Sequence, residues 1–205
     1  MPGTDTDDVL CGTDVVNVVS VRQKILLTGT CWYELTGLWY LLSAQGYDVY
    51  RAPSGYICAQ DGWDLIIVAL SAEPVAGWGR NLSRIRELRL NMSGKILVLV
   101  PDMLKNLRML QDIGPVFSGC VNWRQVSDCI RKTLNGETKR TRRFRLTDGQ
   151  RCILQQCPSV KMTKPKMYYH HARLAGNVGV GDFRMLLMTG LNRAIHEMAD
   201  GQSEI

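Results

Sequence analysis

From Lys24 onward, short apolar runs alternate with segments in which apolar residues recur every three or four positions. Ile25-Leu26-Leu27 opens the series, and Tyr47 to Tyr50 can start a second strand. Asp64 to Leu70 and Lys95 to Val100 are continuous apolar runs, the pattern of strands buried on both faces of a parallel sheet. The segments between them read as helices. Glu34 to Gln45 places Leu35, Leu38, Leu41 and Leu42 on one face and is closed by Gly46. Asn81 to Leu90 carries exposed arginines, and Met103 to Asp112 is a further short helix. Gly119-Cys120-Val121 predicts a fifth strand, and Trp123 to Leu134 a last helix through Val126, Cys129, Ile130 and Leu134. Strands and helices alternating at this spacing predict an α/β domain of (βα)5 order over 23–134, after an N-terminal tail 1–22.

Asn135-Gly136 punctuates the end of that unit, and 135–145, with the run Lys139-Arg140-Thr141-Arg142-Arg143, reads as a basic linker. The remainder predicts a small all-α domain over 146–199 and a tail 200–205. Its helices are expected at Thr147 to Gln156, Thr163 to Ala175 and Asp182 to Met198, with Gly176 ending the second. Asp182 is placed to cap the last helix, whose Phe183, Leu186, Leu187, Gly190, Leu191 and Ile195 line one side.

Charge changes the picture because it is uneven. Residues 1–134 hold 13 Lys or Arg and 13 Asp or Glu, whereas residues 135–205 hold 12 and 6, so the whole net charge of +6 lies in the last third. A neutral body with a basic end points to a polyanionic partner for that end. No apolar run reaches the ~20 residues of a membrane-spanning helix, and Asp5, Asp7, Asp8 and Asp14 stand where an export signal wants cations. A cytoplasmic protein is therefore expected. The seven cysteines form no CxxC pair, and Cys152 and Cys157 with His170 and His171 are the nearest approach to a metal set. Reduced thiols, no metal and no cofactor are the expectation.

The segment 24–134 resembles the receiver domain of bacterial response regulators. The resemblance rests on the order and spacing of Gly37-Leu38 with Leu41-Leu42, Asp64 with its apolar strand, and Gly119-Cys120-Val121 with Ile130-Arg131. Receivers hold Mg²⁺ on an acidic pair and transfer a phosphoryl group to an aspartate, because a hard cation must offset the incoming charge. The resemblance places the acidic pair on Gly29 and Thr30, the acceptor on Ala69, the hydroxyl residue on Val100 and the lysine on Trp123. None can do that chemistry. Nearby Asp61, Asp64, Ser71 and Arg124 restore no carboxylate trio. The residues alone also fit another flavodoxin-like domain with a ligand at its switch point, although no Gly-rich loop follows the first strand.

The stretch Thr163 to Leu174, followed by Asn177-Val178-Gly179-Val180, resembles the recognition half of the LuxR/FixJ-type helix-turn-helix, as do Leu146-Thr147 and Ile153-Leu154 of its opening. The span from Leu146 to His170 is shorter than in that family, and the shortfall falls on Cys157 to Met162, where the supporting helix belongs. The resemblance implies Thr163 as helix cap, Tyr168, Tyr169 and Ala172 at base-reading positions, and Lys164, Lys166 and Arg173 near phosphates. It also implies dimer contact through the last helix.

Together these readings predict a DNA-binding transcription regulator of the bacterial cytoplasm, acting without its own phosphorylation. Such a regulator would work as a homodimer or with a complete response regulator. It is similar to the auxiliary regulators of enterobacterial capsule, curli and fimbrial genes. The alternative is an interaction protein that binds no DNA and sequesters a response regulator. No carboxylate pair, Ser-His-Asp order or phosphate loop points to an enzyme.

Overall fold

The computed structural model describes residues 22–52, 62–137, 144–147, 149–151 and 164–200, with the side chains of 164–166 and 196–200 outside the description. Outside it lie residues 1–21 of the expected N-terminal tail, 138–143 of the linker, 201–205, and most of the helix expected at Thr147 to Gln156. Cys152, Cys157 and the Cys157 to Met162 segment lie outside it as well.

Five parallel strands form one sheet: β1 (Lys24–Gly29), β2 (Asp48–Ala52), β3 (Leu65–Ala69), β4 (Lys95–Val100) and β5 (Val116–Ser118), in the order β2-β1-β3-β4-β5. With helices α1 (Trp32–Ala44), α2 (Arg80–Asn91) and α3 (Trp123–Leu134) packed on its two faces, this is a receiver-like α/β fold of the flavodoxin-like strand order. The central strands end in step, Gly29 beside Ala69 and Ala69 beside Leu99.

Alternation along the strands feeds two cores. Ile25, Leu27, Leu65, Ile67, Ala69, Leu97 and Leu99 meet α1 and α3 through Leu35, Leu38, Leu42, Val126, Ile130 and Leu134. Leu26, Ile66, Val68, Ile96, Val98 and Val100 meet α2 through Leu82, Ile85 and Leu88. Both faces being covered is why β3 and β4 read as unbroken apolar runs. Each fully buried Leu or Ile contributes roughly 1.5–3 kcal/mol. At the start of α3, Asn122 and Gln125 form a reciprocal capping box that sets its first residue.

The second core continues past the sheet domain. Helices α4 (Lys164–Val178), α5 (Phe183–Met188) and α6 (Leu191–Asp200) add Leu174, Ala175, Val178, Val180, Leu186, Leu191, Ala194 and Ile195 to it. Phe144 and Leu146 pack on its edge. The C-terminal helices therefore lie on the sheet domain itself. Two glycine seams allow the approach. Gly77 and Gly79 donate backbone hydrogen bonds to the carbonyls of Met188 (2.9 Å) and Thr189 (2.7 Å). Gly179, at φ 90°, sits so close that a Cβ there would stand 1.9 Å from the Asn106 carbonyl oxygen.

Four expectations are corrected. The helix expected at Met103 to Asp112 is instead two 3₁₀ turns, Asp102–Leu104 and Arg108–Leu110, and Leu104, Leu107, Met109 and Leu110 of this stretch are buried in the core they share with α4 to α6. The fifth strand lies at Val116–Ser118, three residues earlier than expected. The second C-terminal helix runs through Gly176 to Val178 and ends on Gly179. The last helix is broken at Gly190, φ 71°, into α5 and α6.

Candidate functional site

The first candidate is the carboxyl edge of the sheet, where open α/β folds place ligands. Gly29 ends β1 against β3, and a Cβ there would lie 2.3 Å from the Ala69 carbonyl oxygen. Ala69 is fully buried on the α1 face, whereas Val100 is buried on the α2 face, so the two point into opposite cores. Thr30 is exposed and its hydroxyl donates to Glu73. Trp123 is exposed at the start of α3, with the Arg124 guanidinium 5.4 Å from its ring centre. Of the five positions, Gly29 and Ala69 stand side by side on neighbouring strands.

What occupies the edge is a different set of groups. Glu34, in the first turn of α1, accepts the Ser71 hydroxyl at 2.5 Å and receives the backbone N–H groups of Ser71 and Ala72 at 3.4 Å. A carboxylate supplied by the chain thus fills the amide-lined end of β3. Glu73 accepts from Thr30 and pairs with Arg80 at 3.6 Å. Asp102 is held below the usual carboxylate range by the Ser118 hydroxyl, with Lys105 beside it adding to the effect. Asp64 lies at the opposite end of the sheet, accepting from the Lys24 N–H, and Asp61 lies outside the described residues. Sequence reasoning missed Glu34. Its one signal was its isolation, the single charge in an otherwise uncharged thirteen-residue helix.

The second candidate is the outer surface of α4. Tyr168, Tyr169, Ala172 and Arg173 are exposed together on one side, and Arg173 donates to the Tyr169 hydroxyl at 3.4 Å. His170 is half-buried beside Tyr169. His171 stacks on Phe183 at 3.7 Å, and burial first, then neighbouring His170, pushes its imidazole below the usual range. Thr163 and the side chains of Lys164 and Lys166 lie outside the described residues. On the inner side, Leu174, Ala175 and Val178 anchor the helix in the core, and Asn177 bonds the Arg145 carbonyl and buried Gln150. Between α4 and the 3₁₀ turns runs a polar cleft of about 610 Å³, with Lys105 and Arg108 on one wall and Gly176, Gly179 and Gly181 on the other.

Among the described residues no three His, Cys, Asp or Glu side chains cluster as metal ligands. Among them, too, no helix is long and apolar enough to cross a membrane. No protein-family model matches the chain, and no characterised protein matches it significantly in sequence. Among solved structures, the chain is similar to the crystal structure of the response regulator ChrA of a heme-sensing two-component system. The two are 14% identical over 87% of this chain and 98% of that one, with a TM-score of 0.42.

Proposed function

We propose that this chain is a DNA-binding regulator of the LuxR/FixJ type whose receiver-like domain makes contacts and takes no phosphoryl group. It would act in the bacterial cytoplasm, alone as a homodimer or beside a complete response regulator, as the auxiliary regulators of capsule, curli and fimbrial genes do. The reading assigns it no catalytic step. One observation carries it: α4 turns Tyr168, Tyr169, Ala172 and Arg173 outward while Leu174, Ala175 and Val178 fasten it to the body. A helix so presented can enter a groove, with its tyrosines and Ala172 at base edges and Arg173 at a phosphate. The excess of cations after residue 134 supports a polyanionic partner. The edge supports independence from phosphorylation, since Gly29 has no room for a side chain and Glu34 already occupies the amides beyond β3.

A second reading, an interaction protein that binds no DNA, is favoured by the single cation among the described side chains of that exposed face. Fluorescence anisotropy on duplex DNA from the native genome, over a salt series, separates the two. The DNA reading expects affinity that falls steeply with salt, and a slope reduced by roughly one for each of Lys164→Ala, Lys166→Ala and Arg173→Ala. Unchanged binding in the triple variant, or no binding at low salt with or without a response regulator from the same host, would leave the interaction reading standing.

A further inference from the structure

We propose that the outer face of α1 is a self-association surface that receives α1 of a second copy of this chain. The observation begins with composition. Of the thirteen residues of α1, Glu34 alone is charged, and a helix apolar on every side belongs in an interior. Yet only Leu35, Leu38 and Leu42 are buried, while Trp32, Tyr33 and Tyr40 are 62%, 87% and 65% exposed. The opposite face of the sheet is closed by the chain's own C-terminal helices, and α1 has no such cover among the described residues.

Gly37 sharpens the point. It stands mid-helix on the exposed side, at no positive φ, and a Cβ there would touch nothing within 4 Å. No packing within the chain requires glycine, although glycine weakens a helix interior relative to alanine. What its absent side chain permits is close approach by another backbone. Tyr33 and Tyr40 flank it at minus four and plus three. Across a two-fold axis near Gly37, an antiparallel copy sets Tyr33 of each chain against Tyr40 of the other, the reciprocal pairing of an isologous interface.

The electrostatics suit a copy of itself. The Glu34 carboxylate is turned away to Ser71 and Ala72. The Arg51 guanidinium lies 4.6 Å over the Trp32 ring and 5.2 Å from that of Trp39, with Thr36 accepting from it. Trp39 is itself fixed by its indole N–H on the Val49 carbonyl. The helix therefore brings to the axis no charged residue of its own other than the engaged Glu34. At roughly 150–250 Å² per aromatic side chain, scaled by their 62%, 87% and 65% exposure, the three rings offer about 600–1,100 Å² over two copies, the scale of a weak reversible dimer.

Sedimentation equilibrium of the full chain, from about 1 to about 200 μM, tests the proposal. The expected result is a reversible monomer–dimer equilibrium, weakened at least tenfold by Tyr33→Glu and by Tyr40→Glu, each with an unchanged circular dichroism spectrum. Gly37→Gln separates interface from fold. It should raise the melting temperature of dilute monomer and still weaken association. A chain that is monomeric throughout overturns the proposal, as does a dimer indifferent to both glutamates. A monomeric chain that loses a co-purifying protein on Tyr33→Glu assigns the face to a different partner, and overturns it too.

Discussion

Gly79→Ala probes the seam that fastens the C-terminal helices to the sheet domain. Gly79 has an ordinary right-handed backbone, φ −53° and ψ −26°, so alanine meets no conformational penalty there. Its Cβ, however, would lie 2.7 Å from the carbonyl carbon and oxygen of Gly190 and 2.9 Å from the Leu191 nitrogen. All three are backbone atoms, which cannot swing aside as a side chain would. Relief requires the 188–191 turn to retreat, breaking the bonds from Gly77 to Met188 and from Gly79 to Thr189. Overpacking costs about 1–3 kcal/mol, and each lost hydrogen bond about 1 kcal/mol more. Set against these is a gain of at most ~1 kcal/mol from replacing glycine. The balance is a loss of about 2–4 kcal/mol concentrated on α5 and α6, or roughly thirty- to several-hundred-fold more frequent opening. Hydrogen exchange across 183–195 reads it directly, with β3 and β4 as internal reference. Unchanged exchange in that segment would refute the tight seam, and with it the claim that α4 to α6 are held rigidly on the body.

Two further outcomes follow from the site. Ala69→Asp should not create a phosphoryl acceptor: the position is fully buried among Leu97 and Leu99, so an unpaired carboxylate there costs roughly 3 kcal/mol or more. Thermal melting and intact mass after treatment with a small acyl phosphate check both halves, and a stable variant that gains a phosphoryl group would sink the closed-edge reading. His171 should make stability fall with acid. Its imidazole titrates below 6.5 when folded and near that value when unfolded, so between the two the unfolded chain binds more protons and stability declines as pH drops. Melting temperatures from about pH 8 to about pH 5 should show this decline, and His171→Phe should flatten part of it. A profile identical in the variant would show that the stacked imidazole does not titrate as described.

What the sequence determined by itself was whatever periodicity and local chemistry control. Leu65–Ala69 and Lys95–Val100 were legible because strands covered on both faces leave no polar alternation. Trp123–Leu134 was legible to the residue, its start set by the Asn122 capping box and its inner face by Val126, Ile130 and Leu134. The LuxR/FixJ resemblance put Tyr168, Tyr169, Ala172 and Arg173 on one helix, and the structure leaves all four exposed there. Three of the four misses share one cause. The break at Gly190, the run of α4 past Gly176 to Gly179, and the 3₁₀ turns that share a core with α4 to α6 all arise where backbones far apart in the chain come together. Gly79 meets Gly190 and Gly179 meets Asn106 across separations that no local pattern records. The edge site divides in the same way. The lack of carboxylates at Gly29 and Ala69 could be read from the residues, but Glu34 reaches Ser71 only once α1 lies over the end of β3. Tertiary packing alone decided that contact, because it depends on the distance between two elements 37 residues apart in the chain.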